Sequence, residues 1–484
     1  MRRTSPPPVV VRFRSVALVL ATGLLASCAE TRTVVDPTSN TPSISATLLS
    51  DGLSLYIGAD GELPSDLEAQ VVAGGGTLDR VLPEIGVAFA SNLTTATITG
   101  AQSVVPDLIL QYDQPTRTNE LNEEGSAAVA PQVASLADNE PLYALQYGPK
   151  AVQAPEAWNA GYTGAGVRVA VLDGGLYNLH PDLAAGIDVA ASRSFAFGAY
   201  NTDVGTFWHG THVAGIIGAR DNSLGVIGIA PNARLIGVKV LHNGSGSFSA
   251  VIAGIIYAAK PLSEGGAGAH VINMSLGAYI RNAANDPAVR AAVKDLATVI
   301  DRATRYANAQ GTTVIAAAGN NRSNLDENKF DVNLPGMSAR VIGVSATAPL
   351  GWALGNTNYS RQASYTNFGK AAVSFAAPGG DFVLPGTAVC TLIAITRPCW
   401  VFDLYFSTVR GSSPSGAYGW AAGTSMASPV VAGIAALIIQ ANGGSLEPAQ
   451  VRAKLAQGAL DLGKPGFDEV YGHGFVNALA SVLK

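Results

Sequence analysis

The sequence predicts an α/β fold with a doubly wound, mostly parallel sheet. Over the second part of the chain, short continuous apolar runs alternate with longer helical patterns, at a length typical of βα units. The apolar runs lack the polar alternation of a half-exposed strand, which indicates strands covered on both faces. A charged fraction of only 13%, together with 54 glycines, further favours a large packed body with many loops.

This region, 143–484, is expected to carry the function, because ligands of such sheets bind beyond the carboxyl ends of the strands. The predicted strands are 167–172, 235–240, 271–274, 313–317, 341–344 and 373–376. The predicted helices are 249–259, 288–309 and 426–441.

A separate small α+β module is predicted for residues 48–112. Its expected strands are 53–57, 77–82, 86–90 and 104–110, and its expected helices are 64–73 and 94–100. This order suits a compact split βαβ sandwich. Residues 113–142 are predicted to be an exposed linker, because the stretch 119–139 is acidic and rich in Ala and Ser without periodicity.

The N-terminus, residues 1–28, has the pattern of a secretory signal. Four arginines and no acid precede an apolar run at 16–26, which is too short to span a bilayer as a stable helix. The run ends at Cys28 in the order Leu-Ala-Ser-Cys, which resembles the lipobox of bacterial lipoproteins and implies lipidation of Cys28. The alternative is an ordinary signal cut nearby. Residues 29–47 are polar and predict a tether.

Charge and cysteine usage narrow the function classes. The formal net charge is −5 and no basic run follows residue 15, so nucleic acid is not an expected partner. Besides Cys28, the chain has only Cys390 and Cys399, which can form a disulfide in an exported protein or remain two buried thiols. Neither has the surroundings of a nucleophile.

Three short segments place chemically useful side chains in glycine-rich turns. Asp173 ends an apolar run, His209 begins a run of small residues, and Ser425 opens an apolar helix. Each has a structural alternative when taken alone: a helix cap for Asp173 or Ser425, and a structural or metal-binding histidine for His209 with His212.

Taken together, the three residues form a catalytic set. A serine hydroxyl needs a base to take its proton, and the base needs an acid to hold its tautomer. The chain order Asp, His, Ser and the motifs around Asp173, His209 and Ser425 resemble the subtilisin-like serine proteases, peptidase family S8. The resemblance implies a subtilisin-like fold and a serine endopeptidase that needs no cofactor for its chemistry. Gly174 departs from the Ser or Thr that usually follows the aspartate.

Further residues are assigned by the same resemblance. Asn320, in the order Ala-Ala-Gly-Asn, corresponds to the amide that donates to the oxyanion, with the backbone N–H of Ser425 as second donor. The run Ser275-Leu276-Gly277 corresponds to the edge that binds an extended substrate.

The pocket for the residue before the cut is expected to lie between Gly277 and Gly319. Asn321 stands where some relatives have an acid, and an uncharged pocket floor predicts cleavage after apolar or aromatic residues.

A calcium site is also implied. Asp182 and Asn222, with backbone carbonyls of residues 220, 224 and 226, correspond to oxygen ligands of the kind that Ca²⁺ takes. Tyr143 stands where relatives usually have a glutamine ligand, so an altered or lost site is the alternative.

The module 48–112 resembles the propeptides of this family. The resemblance implies an intramolecular inhibitor that the enzyme removes itself; the alternative is a permanent binding module or spacer. With Cys28 lipidated, the anchor would sit on the propeptide, and maturation would release a monomeric enzyme from the cell envelope.

Two other functions remain open. One is a catalytically silent surface lipoprotein that uses the scaffold for binding; the intact set of Asp173, His209, Ser425 and Asn320 argues against it. The other is a non-peptidase acyl hydrolase, but no Gly-x-Ser-x-Gly turn surrounds Ser425.

Overall fold

The fold comes from a computed structural model that describes residues 53–58, 62–94, 97–111, 117–121, 139–280, 287–327, 331–413 and 416–484. The predicted signal segment 1–28 with Cys28, the tether 29–47 and most of the linker 113–142 lie outside these residues.

Strands and helices alternate along the described residues. The strands are β1 Leu53–Gly58, β2 Thr77–Leu82, β3 Val87–Ser91, β4 Ala101–Pro106, β5 Ile109–Gln111, β6 Arg117–Leu121, β7 Arg168–Asp173, β8 Arg193–Ser194, β9 Arg234–Lys239, β10 Ser245–Ser247, β11 Val271–Met274, β12 Ala278–Ile280, β13 Thr313–Ala317, β14 Val332–Leu334, β15 Val341–Ala348, β16 Arg361–Gln362, β17 Phe375–Pro378, β18 Val389–Leu392, β19 Ile395–Pro398, β20 Tyr405–Val409 and β21 Ala417–Ala422. The α-helices are α1 Leu67–Ala73, α2 Gly148–Ala151, α3 Ala154–Asn159, α4 His209–Gly218, α5 Phe248–Ala259, α6 Pro287–Ala309, α7 Thr424–Ala441, α8 Pro448–Gly458 and α9 Ala478–Val482.

The N-terminal module is an antiparallel sheet in the order β2-β3-β1-β4, with α1 packed on it. The expected helix at 94–100 is wrong for residues 97–100, which are not helical. The backbone N–H of Thr94 donates to the Gly74 carbonyl and that of Thr99 to Gln70 Oε1, so this segment is tied to the C-terminal part of α1.

The strand expected at 104–110 is divided into β4 and β5. The two residues between them contact the start of α5: Asp107 Oδ1 accepts from the Ser249 N–H at 3.0 Å, and the Leu108 carbonyl accepts from the Phe248 N–H at 2.9 Å. These bonds turn the chain away from the module's own sheet.

The central sheet has the order β16-β15-β13-β11-β7-β9-β8, and β17 also pairs with β15. The strand pairs are parallel except that of β15 with β16. All six predicted strands overlap observed strands of this sheet, and the three predicted helices overlap α5, α6 and α7. The prediction of an α/β fold with a mostly parallel sheet is confirmed.

Helices cover both faces of the sheet, as the continuous apolar runs predicted. In β7, Val169 and Val171 belong to the core with α4 and α7, whereas Ala170 and Leu172 belong to the core with α5 and α6. This division follows from the alternation of side chains along a strand. Within the described residues, α7 is long and apolar enough to cross a membrane, but 89% of it is buried as a core helix.

Candidate active site

Asp173 is the last residue of β7, which lies between β9 and β11 in the sheet. Its side chain is buried, and Oδ1 accepts a hydrogen bond from the Gly174 N–H at 2.7 Å. The strand therefore delivers the carboxylate to the carboxyl edge of the sheet, where the sequence predicted a site.

His209 begins α4 and faces this carboxylate. Its Nδ1 lies 2.9 Å from Oδ2 and 3.0 Å from Oδ1 of Asp173, so Nδ1 carries the proton and donates it. Its Nε2 is buried and has no hydrogen-bond partner among the described residues. The close approach needs glycine at position 210, because a Cβ there would lie 2.9 Å from Cβ of Asp173.

Ser425 is the second residue of α7 and is completely buried. Its Oγ donates to the carbonyl of Ser275 at 3.1 Å, not to Nε2 of His209. The structure thus joins two members of the predicted triad directly and holds the third against the turn that follows β11, at the same edge of the sheet. Catalytic hydrogen bonds are often not formed in the absence of substrate.

Ser275 also fixes the backbone of the nucleophile, a role that the sequence analysis missed. Pro429 has no N–H to donate to the Ser425 carbonyl one turn earlier. The Ser275 Oγ donates to this carbonyl at 2.7 Å, and it lies 2.9 Å from both Ser428 Oγ and Asn273 Nδ2. Pro429 was the signal in the sequence, because a proline inside a helix leaves one carbonyl without its usual backbone donor.

Asn320 follows β13 and is held by the residue before the nucleophile. Its Oδ1 accepts from both N and Oγ1 of Thr424, each at 2.9 Å. The Thr424 Oγ1 accepts in turn from the Gly319 N–H at 3.1 Å. Asn367 Oδ1 accepts from the Asn321 N–H at 2.9 Å and steadies the same turn. Because Oδ1 accepts both bonds from Thr424, the orientation of the Asn320 amide is fixed and Nδ2 is its other end.

The predicted substrate edge follows β11. Gly277 lies against a buried amide, because a Cβ there would be 2.7 Å from Asn333 Oδ1. The Leu276 side chain is fully buried in the core with α5 and α6, so only its backbone can contribute to binding. Gly319 has a φ of 96°, which favours glycine.

The structure shows what lies beside Gly174, which stands where a Ser or Thr usually follows the aspartate. A Cβ at this position would lie 2.5 Å from Oδ2 of Asp203, so that carboxylate occupies the space of the missing side chain. Buried Lys239, at the end of β9, donates to the carbonyls of Gly174 and Thr202 and lies 4.0 Å from Asp203 Oδ1. Burial lowers the pKa of Lys239 from its usual value. No motif in the sequence pointed to this pair.

Two other histidines on these turns are structural. His212 Nε2 lies 3.1 Å from the Gly419 carbonyl, and burial lowers the pKa of His212 to about 3. His180 Nε2 lies 2.9 Å from the Ala417 carbonyl. The metal-binding alternative for His209 and His212 gains no support, since no group of three or more His, Cys, Asp or Glu that could hold a metal is found in the described part of the chain.

The residues assigned to calcium lie on two loops that are bonded to each other, with the Arg220 N–H donating to the Asp182 carbonyl at 2.8 Å. Asp182 Oδ2 accepts from the Val226 N–H at 3.0 Å, while its Oδ1 is buried without a hydrogen-bond partner among the described residues. Burial raises the pKa of Asp182 to about 7. The Asn222 Oδ1 accepts from the Leu224 N–H at 3.0 Å.

Glu140, which was not among the predicted site residues, contacts the loop that carries Asn222. Its Oε1 accepts from the N–H groups of Asn222 and Ser223, at 3.1 and 3.3 Å. Its Oε2 is buried and unpartnered among the described residues, and burial, with repulsion from Asp221, raises the pKa of Glu140 to about 7. Asp182 and Glu140 thus each keep one carboxylate oxygen of the kind that Ca²⁺ takes, although neither belongs to a group of three or more His, Cys, Asp or Glu that could hold a metal in the described part of the chain.

Cys390 and Cys399 form a disulfide, with Cα atoms 4.8 Å apart. Cys390 lies in β18, which pairs antiparallel with β19, and Cys399 directly follows β19. The bond closes a hairpin that stands outside the catalytic turns.

Comparison with known proteins identifies the family. Residues 164–474 match the sequence profile of the Subtilase family, peptidase S8. Subtilisin Savinase of Lederbergia lenta is 35% identical over 338 residues, 70% of this chain and 98% of that protein. Alkaline elastase YaB of Bacillus sp. (strain YaB) is 34% identical over 388 residues, 79% of this chain and 83% of that protein.

Structural similarity extends over more of the chain. The epidermin leader peptide processing serine protease of Staphylococcus aureus has a TM-score of 0.68, covering 89% of this chain and 98% of that one. At 20% identity, this similarity supports the fold alone. The sequence matches carry the assignment further: the chain belongs to the subtilase family and is a subtilisin-like serine endopeptidase.

Proposed function

We propose that this endopeptidase cuts protein substrates through an acyl-enzyme formed on Ser425. The observation that carries the proposal is the buried Asp173–His209 hydrogen bond, which leaves His209 Nε2 unpartnered at the sheet edge that also holds Ser425. When Nδ1 of the neutral imidazole donates to Asp173, Nε2 is the nitrogen that can accept a proton.

The reaction requires a rotation of Ser425 from the Ser275 carbonyl to His209. Its Oγ then attacks the substrate carbonyl while Nε2 takes the hydroxyl proton, and the amine leaves with that proton as the C–N bond breaks. Water, deprotonated by the same nitrogen, then attacks the acyl carbon; the ester bond to Oγ breaks, the acid leaves, and Oγ takes its proton back from Nε2. Asp173 stabilises the imidazolium, and Asn320 with the Ser425 N–H donates to the oxyanion.

We further propose that the protein is an exported precursor with 48–112 as its inhibitory propeptide. Strand β5 of this segment pairs antiparallel with β10, close after the end of β9. Glu84 Oε1 also lies 2.8 Å from Lys260 Nζ on the peptidase side. Lipidation at Cys28 and release from the envelope on maturation belong to the same proposal.

The preferred substrates are expected to have an apolar or aromatic residue before the cut. A peptide library in which cleavage after arginine dominates would refute this preference. Structural calcium at Asp182 and Asn222, with the backbone carbonyls of residues 220, 224 and 226, is proposed from Oδ1 of Asp182, unpaired among the described residues, and plays no part in the chemistry.

The deciding experiment compares casein hydrolysis by the full chain and by Ser425→Ala. The wild type should digest casein and shorten by its N-terminal module, and the variant should stay inert and full length. Equal behaviour of the two chains would favour the silent binding protein or exclude Ser425 as the nucleophile.

A further inference from the structure

Part of the predicted linker is a strand on the edge of the active site. β6 pairs antiparallel with β21 over five residues, from Arg117 opposite Ala422 to Leu121 opposite Tyr418. The other edge of β21 is taken by β20, so β6 covers its remaining edge. β21 leads through two residues directly to Ser425.

The direction of β6 determines on which side of a cut in the preceding chain this strand would lie. Because the pairing is antiparallel, the N-terminal end of β6 lies at the Ser425 end of β21. β5, which precedes it in the chain, is bound at β10. A cut between Gln111 and Arg117 would therefore leave β5 on the acyl side and β6 on the amine side.

We propose that β6 occupies the edge of β21 in the precursor, where the amine side of a substrate would lie, and that activation requires a second cut beyond Leu121. This inference rests on the proposed function. Strand addition supplies affinity through backbone hydrogen bonds, which any extended chain can make in place of β6.

A single cut does not clear this edge. The first hydrolysis breaks one C–N bond and releases β5 as an acid, but β6 stays covalently joined to the peptidase domain as a new N-terminal segment. Rebinding is then intramolecular, at an effective concentration of about millimolar order. Leu121 is only 3% exposed and belongs to the main core, so it anchors the strand.

The test follows the full chain during maturation by N-terminal sequencing and intact mass. Each form is separated from the released module and assayed on two substrates. One is an internally quenched peptide with five residues on the amine side; the other is a peptide p-nitroanilide, which has none. We expect a form beginning between 112 and 117 that cuts the nitroanilide but is slow on the long peptide. Activity on the long peptide should rise when the N-terminus moves beyond Leu121.

Variants of β6 test whether this strand is the cause of slow cleavage of the long peptide. Leu121→Ala should raise the ratio of long-peptide to nitroanilide activity of the first form by about tenfold or more, since a buried anchor is lost. Asn119→Pro, which removes a backbone N–H from the strand, should act in the same direction without touching the core. Thr118→Ala, at an exposed position of β6, is the matched control and should change nothing.

Two results would overturn the inference. A final form that begins between 112 and 117 and cuts the long peptide as well as a form lacking β6 would refute the inference alone. A chain that cuts neither substrate at any stage would refute the proposed function, and the inference with it.

Discussion

Replacing Thr424 by valine tests how the oxyanion donor is oriented. The Thr424 Oγ1 donates to Asn320 Oδ1 at 2.9 Å and accepts from the Gly319 N–H at 3.1 Å. Valine keeps the branched shape but exchanges the hydroxyl for a methyl group. The change removes one of the two bonds that Thr424 makes to the Asn320 amide and leaves the Gly319 N–H without its acceptor.

The effect on rate follows from one neutral hydrogen bond. Such a bond contributes about 0.5–1.5 kcal/mol, and 1.36 kcal/mol corresponds to tenfold in rate, so kcat should fall about 2- to 13-fold. Loss of Asn320 itself should cost about 10²–10³ in kcat, a figure measured on a subtilisin. The buried, unpaired Gly319 N–H should also lower the free energy of unfolding by about 1–3 kcal/mol.

The assay measures kcat and KM on a peptide p-nitroanilide, together with thermal unfolding. KM should change little, because the oxyanion contact strengthens only in the transition state. Thr424→Ser keeps the hydroxyl and should restore most of the rate. A valine variant that unfolds more easily but retains full kcat would refute the argument, because Thr424 would then support only the turn.

Three further predictions concern other parts of the molecule. Since burial raises the folded-state pKa of Asp182 to about 7, the stability of Ser425→Ala in EDTA should fall as the pH rises from about 4 to about 7. Asp182→Asn should weaken that fall in EDTA but lower the melting temperature in calcium; the same shift in both buffers would exclude a cation there. Replacing Cys390 and Cys399 by serine should cost about 3 kcal/mol of unfolding free energy at unchanged kcat, by loop entropy, and an unchanged melting temperature would contradict this. Asp173→Asn should lower kcat by about 10⁴, the figure for a trypsin-like enzyme, and near-normal kcat would exclude Asp173 as the orienting acid.

The sequence alone determined the architecture of the peptidase region and the candidates for its chemistry. Strands buried on both faces have continuous apolar runs, and this local pattern placed β11 and β13 at their observed bounds. Asp173, His209 and Ser425 were found because residue type and flanking glycines, both local properties, are what a strand-end turn and a helix start require.

The contacts that hold these residues in place arise from the packing of distant parts of the chain. The bonds of Ser275 to Ser425 and of Thr424 to Asn320 join residues more than one hundred positions apart, and no local pattern encodes such a distance. Glu140 and Lys239 were missed for the same reason, since their partners lie on other turns of the chain.

The clearest difference between the predicted and the observed structure is strand β6. Residues 113–142 are polar and aperiodic, so their composition predicted a linker. A strand on the edge of an existing sheet is stabilised by backbone hydrogen bonds, which depend little on side chains. Whether such a segment becomes a strand is therefore decided by the edge it meets, and that edge, β21, is formed only when the rest of the chain has folded.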